Sequence, residues 1–223
     1  MIQDFKFPLR IEPDELDEYL ARGWYRMGQF VFTTDFVERD GVYYKTIWLR
    51  NRLKKYKSST TFQKLEKRNK EFEKEIIPFN YNDRYELLFQ KYRSSLPPGR
   101  AGDLHSFLIG DSPYLIFNSY VINLYDNGIL IGSGVFDLGK KSAAGISSFY
   151  DPAYKKCSIG KYLIYKKIEY CQQKQFDFFY PGYFVPGLKA FDYKLKIGKE
   201  SLEFYDMDKD QWKLLSRLVL KNS

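Results

Sequence analysis

The chain has 223 residues, 44% hydrophobic and 29% charged, with 20 Tyr and 19 Phe, a balance that excludes a disordered or fibrous protein and suits one domain or two tightly packed halves. Its 36 Lys+Arg against 28 Asp+Glu leave +8. The excess is local, because residues 50–74 hold ten basic and three acidic side chains, a patch that either attracts a polyanion such as tRNA or is a solvated helix face.

From the N-terminus, Met1 to Arg10 lacks a signal peptide's apolar stretch, and no later run reaches the roughly 18 apolar residues of a membrane helix, so a cytoplasmic protein without membrane contact is expected. Pro13 to Arg22 is predicted to be a helix, with Leu16, Tyr19 and Leu20 on one face and Gly23 at its stop. Phe30 to Val37 and Val42 to Leu49 are β-branched and aromatic runs separated by Glu38-Arg39-Asp40-Gly41, a hairpin signal. The spacing of Phe62, Leu65, Asn69 and Phe72 predicts a helix over Ser59 to Lys74 with a basic outer face, ended by Pro78. A second helix runs from an Asn82 or Asp83 cap to about Ser95, turning Tyr85, Leu88, Phe89 and Tyr92 inward, and Leu96-Pro97-Pro98-Gly99 breaks it.

Tyr114 to Tyr125 and Ile129 to Asp137 flank Asp126-Asn127-Gly128, and Ala143 to Tyr150 reads as a third antiparallel strand. A loop, Asp151 to Cys157, then leads to a helix from Ser158 to about Lys174 and a strand at Phe176 to Tyr180, which adds to the sheet by a crossover. A strand near Phe191 to Ile197 and a helix near Asp208 to Leu220 complete the chain. The predicted class is α+β, a mixed and mostly antiparallel sheet flanked by helices behind an N-terminal helix and hairpin. A boundary falls at about residue 78, giving regions 1–78 and 79–223.

Two places carry candidate chemistry. The loop Lys155-Lys156-Cys157-Ser158-Ile159-Gly160-Lys161 opens the long helix, whose unpaired N–H groups and dipole favour an anion, and Gly160 permits close approach to the backbone; an ordinary cap by Ser158 is the other reading. Tyr180-Pro181-Gly182-Tyr183-Phe184 follows the crossover strand, where a phenol can orient or protonate a leaving group or simply pack around a Pro-Gly turn. His105 has no sequence cue pairing it with a nucleophile, the cysteines Cys157 and Cys171 have no CxxC spacing, and metal-ligand spacings are absent. Two free thiols and no bound metal are expected.

Several blocks, in the same order, resemble the bacterial aminoacyl-tRNA-protein transferases, which include arginyl transferases and leucyl-transferring enzymes. Gly23-Trp24-Tyr25-Arg26-Met27-Gly28 is similar to Gly-Trp-Arg-Arg-x-Gly, Trp48-Leu49-Arg50 to Pro-Leu-Arg, and Gln63 to Asn69 to a basic run ending Arg-Arg-Asn. Tyr85 to Tyr92 resembles a Tyr-x-Leu-Tyr-x-x-Tyr helix, and Phe149-Tyr150-Asp151-Pro152 resembles Phe-Tyr-Asp-Pro. Ser158 to Ile164 with Ile168-Glu169 looks like Ser-Leu-Gly-x-Tyr-x-Ile followed by Ile-Glu, Tyr180 to Val185 like Tyr-Leu-Gly-Tyr-Trp-Ile, and Lys189 with Tyr193-Lys194 like Lys-Met-x-Tyr-Lys.

The resemblance implies a GNAT-like fold and transfer of an amino acid from aminoacyl-tRNA, the co-substrate, to the α-amine of a protein N-terminus, as in N-degron labelling, with no cofactor. It implies donor binding by Ser158, Ile159, Gly160, Lys161 and Tyr162, acceptor binding by Tyr180, Gly182, Lys189, Tyr193 and Lys194, and tRNA contact by Arg50, Lys64, Lys67 and Arg68. Tyr183 or Asp137 would carry protons. The sequence departs from the pattern at Thr33 to Arg39, where the family's cysteine cluster is missing, so no metal or redox role is expected there. Two other readings share these residues: an N-acyltransferase using acyl-CoA or acyl carrier protein, and a non-enzymatic RNA-binding domain.

Overall fold

The computed structural model of the chain describes residues 1–96, 102–112 and 114–217. The Pro97-Pro98-Gly99 break and the end of the predicted C-terminal helix lie outside them. β1 (Gln3–Lys6) precedes α1 (Pro13–Ala21), which starts with Pro13 behind a Glu12/Glu15 capping box, buries Leu16 and Leu20, and stops before Gly23 at φ +74°. β2 (Tyr25–Met27) and β3 (Phe30–Thr34) join β1 in a small sheet of order β1-β3-β2.

The hairpin expected around Asp40-Gly41 exists only at its tip, as β4 (Phe36–Arg39) and β5 (Val42–Lys45), with both turn residues at positive φ. Each predicted run divides in two. A bend at Asp35, opposite the Thr46 N–H that donates to its carbonyl, releases β3 to the small sheet and β6 (Ile47–Arg52) to the main one.

α2 (Thr60–Arg68) begins where predicted, with the Ser59 hydroxyl accepting from the Phe62 N–H. It ends earlier than predicted. Asn69 donates its amide to Leu65 O at 2.8 Å and closes the last turn, and Glu73–Lys74 open β7 (Glu73–Pro78), an edge strand built around Ile76-Ile77. α3 (Asp83–Ser94) is capped by Asn82, and a short α4 (Leu104–Leu108), not predicted, buries Leu104 and Leu108 against it. His105 of α4 is exposed and stands edge-on to the Tyr81 ring.

β8 (Ser119–Asp126), β9 (Ile129–Leu138) and β10 (Ser142–Tyr150) form the predicted meander, though β8 starts at Ser119 rather than Tyr114. A 3₁₀ turn, Pro152–Cys157, feeds α5 (Ile159–Gln173), and β11 (Phe178–Phe184) returns parallel to β10. Two C-terminal expectations are corrected. Phe191 to Ile197 is not a strand: Lys189–Lys196 winds as 3₁₀ helix, which brings both Phe191 and Leu195 onto the cluster of Ile47 and Phe184. Asp208 opens no helix, because Asp210 takes a left-handed turn that folds β13 (Gln211–Leu214) back on β12 (Leu202–Asp206).

The main sheet has the order β13-β12-β6-β11-β10-β9-β8-β7 and is antiparallel except between β10 and β11. α2 and α5 cover one face through Leu65, Leu163 and Ile168. α3 and α4 cover the other through Leu88 and Leu104, beside α1 and the small sheet.

Candidate active site

β10 and β11 pair only through Ser142↔Phe178, Ala143↔Phe179 and Ala144↔Tyr180, although both strands continue. Sequence explains the separation. Pro181 has no N–H to give β10, a bulge between Phe179 and Gly182 turns β11 toward β6, and a bulge between Gly145 and Ser147 turns β10 toward β9. Tyr25 holds the crotch of this fork, its hydroxyl 2.7 Å from Gly145 O and 3.1 Å from Tyr180 O. Gly145 is required there because a Cβ would come within 2.7 Å of the Phe179 ring. The strands diverge around a cleft of about 90 Å³ lined by Ile146, Ser147, Ser148, Ile164, Lys167, Phe179, Pro181, Tyr193 and Ile197.

Two lysines flank the fork. The Lys167 stem runs from α5 past Gly134, where a Cβ would meet its Cε at 2.9 Å, and Nζ donates to Ser147 O at 2.6 Å and Ser148 Oγ at 3.1 Å. Burial pushes its pKa down to about 7, against the opposing charges of Asp137 and Cys171. On the other arm, Lys194 Nζ donates to Tyr183 O at 2.7 Å, and burial pushes it down to about 7 as well.

Beyond the cleft, α5 begins at Ser158, whose left-handed backbone (φ 55°, ψ 40°) reverses the chain out of the 3₁₀ turn. Such a conformation costs a non-glycine residue about 1–3 kcal/mol, and Asp40, Asn127, Gln175 and Asp210 adopt it elsewhere in the chain. The Ser158 side chain makes no capping bond, so the first-turn N–H groups of Ile159, Gly160 and Lys161, which have no intrahelical acceptors, are not capped by it. α2 is fastened to this loop: Arg68 donates to Lys156 O at 2.9 Å and Asn69 to Cys157 O at 3.2 Å. The exposed Lys64, Lys67 and Arg68 thereby join Lys155 and Lys156 around the start of α5.

The remaining residues singled out from sequence are distributed unevenly. Ile159 and Tyr162 are wholly buried, so Ile159 can offer a ligand only its backbone N–H, while Tyr162, whose N–H donates to Ser158 O at 3.0 Å and whose hydroxyl donates to Glu66, offers neither. The open side of Gly160 faces the Tyr150 ring, which a Cβ at this position would approach to 3.1 Å, a contact the ring must yield by a few tenths of an ångström to accept. Arg50 is not on the basic face; it is buried, paired with Glu203 at 2.7 Å and set between the rings of Phe178 and Trp212. Asp137 is fully buried and does not line the cleft. Its Oδ1 accepts from Arg26 at 2.8 Å and Ser119 at 2.6 Å, while burial holds its pKa above the usual carboxylate value.

Tyr183 packs against Trp48 and Phe191, and burial raises its pKa, which opposes proton release. Tyr180 is buried against Trp212, Gly182 takes φ +80° beside Lys194 Nζ, Lys189 is exposed, and Tyr193 lines the cleft. Lys167 was missed from sequence, although a lysine between Leu163 and Cys171 at four-residue spacing, on an otherwise apolar helix face, was a legible signal. Among the described residues, none forms a group of three or more metal-ligating side chains, and no helix is long and apolar enough to cross a membrane.

Three antiparallel strands, a turn into a helix N-terminus and a parallel strand that splays from its neighbour define a GNAT-like acyltransferase core. The chain belongs to the arginine-tRNA-protein transferase family, whose C-terminal family model matches residues 53–203. It is 27% identical over 202 residues to the aspartate/glutamate leucyltransferase of Leptospira interrogans, covering 86% of this chain and 76% of that protein. The enzyme of the same name from Acinetobacter baylyi is 24% identical over 218 residues, 94% and 76% of the two chains. A crystallised C-terminal domain described as a lysylphosphatidylglycerol synthetase from Agrobacterium fabrum shares the fold, with TM-score 0.50 at 12% identity over 69% of this chain and 58% of the other. The protein is therefore an acyltransferase of the aminoacyl-tRNA-protein transferase type, moving an amino acid from tRNA to a protein N-terminus.

Proposed function

We propose that the acyl end of aminoacyl-tRNA lies at the first turn of α5, that the acceptor N-terminus enters the fork between β10 and β11, and that the exposed basic side chains of α2 carry the tRNA backbone. The observation that supports this reading best is the fastening of α2 to the α5 loop through Arg68 and Asn69, which sets exposed basic side chains beside a helix end that suits an anion. The substrate's α-amine attacks the ester carbonyl, an amide bond forms, and the terminal ribose oxygen departs with a proton. No acyl-enzyme intervenes, so positioning supplies most of the rate. Uncapped N–H groups of Ile159 to Lys161 face the developing oxyanion or the adjacent phosphate.

Lys189 and Lys194 would favour an acidic first residue on the acceptor, and the relatives named aspartate/glutamate leucyltransferase point to the same acceptor class. We place the protein in the cytoplasm, where charged tRNA is available. Incubation with individual charged tRNAs, or with acyl-CoA, and peptides beginning Asp, Glu, Lys, Arg or oxidised Cys, followed by mass spectrometry, tests the reading. A mass increase of one amino-acid residue on the N-terminus of Asp or Glu peptides, dependent on charged tRNA, is expected; acylation from CoA alone would refute it.

A further inference from the structure

We propose that Lys167 Nζ accepts the proton that the acceptor's α-ammonium must lose before it attacks the donor ester. The inference rests on the function proposed above and adds to it the group that prepares the nucleophile.

The fork gives Lys167 a position no other amine in the cleft shares. Among the residues lining that cleft, only Lys167 and Tyr193 carry titratable groups. Two hydrogen bonds, to Ser147 O and Ser148 Oγ, use both N–H groups of a neutral amine and leave its lone pair as the one remaining site. The glycine at 134 exists in the space the lysine stem needs, so the side chain is built into the sheet rather than draped over it.

The charged groups around Lys167 leave it to titrate in the working range. Cys171, one turn later in α5, is pushed up by burial; Tyr193, across the cleft, is pushed up to about 12; Asp137, on β9, is engaged by Arg26 and Ser119. Burial brings Lys167 itself to about 7. A protein α-amine ordinarily titrates at about 7.7–8.0, so transfer of its proton to Lys167 is close to balanced, the condition under which general-base catalysis works best.

The step balances as follows. The ammonium R–NH₃⁺ and neutral Lys167 become R–NH₂ and Lys167–NH₃⁺; the amine lone pair forms the C–N bond; the C–O bond to the ribose breaks; and the second amine proton leaves on the ribose oxygen. Lys167 returns its proton to solvent, and the products are an amide, a free ribose hydroxyl and one released proton.

The test compares wild type and Lys167→Met in single-turnover transfer from charged tRNA to a Glu-initiated peptide between pH 5.5 and 9, with tRNA affinity measured alongside. Lys167→Met should lose about 100-fold in rate at pH 7, recover part of it at pH 9 where the free amine is populated, and bind tRNA unchanged. A wild-type rate and profile in Lys167→Met would overturn the assignment. Should that variant not fold, ¹³Cε NMR of the unmodified protein decides: a Lys167 transition near pH 7 upholds the proposal, and one above pH 9 overturns it. Wild-type inactivity with every charged tRNA would overturn the proposed function, whereas a wild-type rate and profile in Lys167→Met overturns only the role given to Lys167.

Discussion

Tyr25→Phe removes a single oxygen at the crotch of the fork and keeps the ring, whose centroid lies 5.5 Å from that of Trp48. The lost hydroxyl is the donor shared by Gly145 O and Tyr180 O, the last point at which the two strands are tied before they separate. Leaving a buried carbonyl without a donor costs about 1–3 kcal/mol. For a chain of this length that lowers Tm by roughly 2–12 °C. Transfer should suffer more than stability, because strands free to move by about 1 Å misplace donor and acceptor, an error of a size that costs about 100-fold in rate. Thermal melting followed by single-turnover transfer reads both effects. A Tm within about 1 °C of wild type together with an unchanged rate would refute the idea that the hydroxyl holds the fork.

Replacing Lys64, Lys67 and Arg68 together by Ala should weaken tRNA binding about equally for all tRNA sequences and reduce the slope of log affinity against log salt by about 3; an unchanged slope removes α2 from the interface. Arg26→Ala leaves the Asp137 carboxylate buried without its partner and should cost about 3–5 kcal/mol in denaturant unfolding, a loss below about 1 kcal/mol contradicting the ion pair's role. Gly160→Val presses a branched side chain against Tyr150 and should lower both Tm and transfer, and a full melting temperature would show that Tyr150 yields easily. Stability should also depend on pH through Lys167: an unfolded lysine keeps its proton to about 10.4 while the folded one releases it near 7, so the unfolded chain binds more protons between these values and stability rises with pH there. Below pH 7 both states hold the proton and the dependence ends. Unfolding titrations of Lys167→Met from pH 7 to 9 should lack up to about 1.4 kcal/mol per pH unit of the wild-type slope.

Helical periodicity and capping made α1, the start of α2, α3 and α5 legible in sequence, and the Asn127-Gly128 turn fixed the β8–β9 hairpin. β7 was hidden because Phe72 continues the apolar spacing of α2, while Asn69, whose amide closes the last turn on Leu65 O, reads as one more position on the same helix face. Alternating Phe191, Tyr193 and Leu195 imitate a strand, and only packing against Ile47 and Phe184 selects the 3₁₀ winding. The site was legible as a loop and a helix end. Its fork was not: Pro181-Gly182 reads locally as a turn, and the tie from Tyr25 spans 120 residues to Gly145. Arg50 looked like a phosphate ligand because its neighbours are basic, and nothing local reveals that Glu203 waits beside it.

The most direct measurement is a crystal structure of the protein with a short acceptor-stem RNA carrying a non-hydrolysable, amide-linked amino acid. The aminoacyl carbonyl should lie within hydrogen-bonding distance of the first-turn N–H groups of α5, with its carbon turned toward the cleft and the RNA backbone along Lys64, Lys67 and Arg68. Density for the aminoacyl end in the separate groove lined by Lys57, Ser59, Lys196 and Lys199, with the fork left to protein side chains alone, would contradict the account.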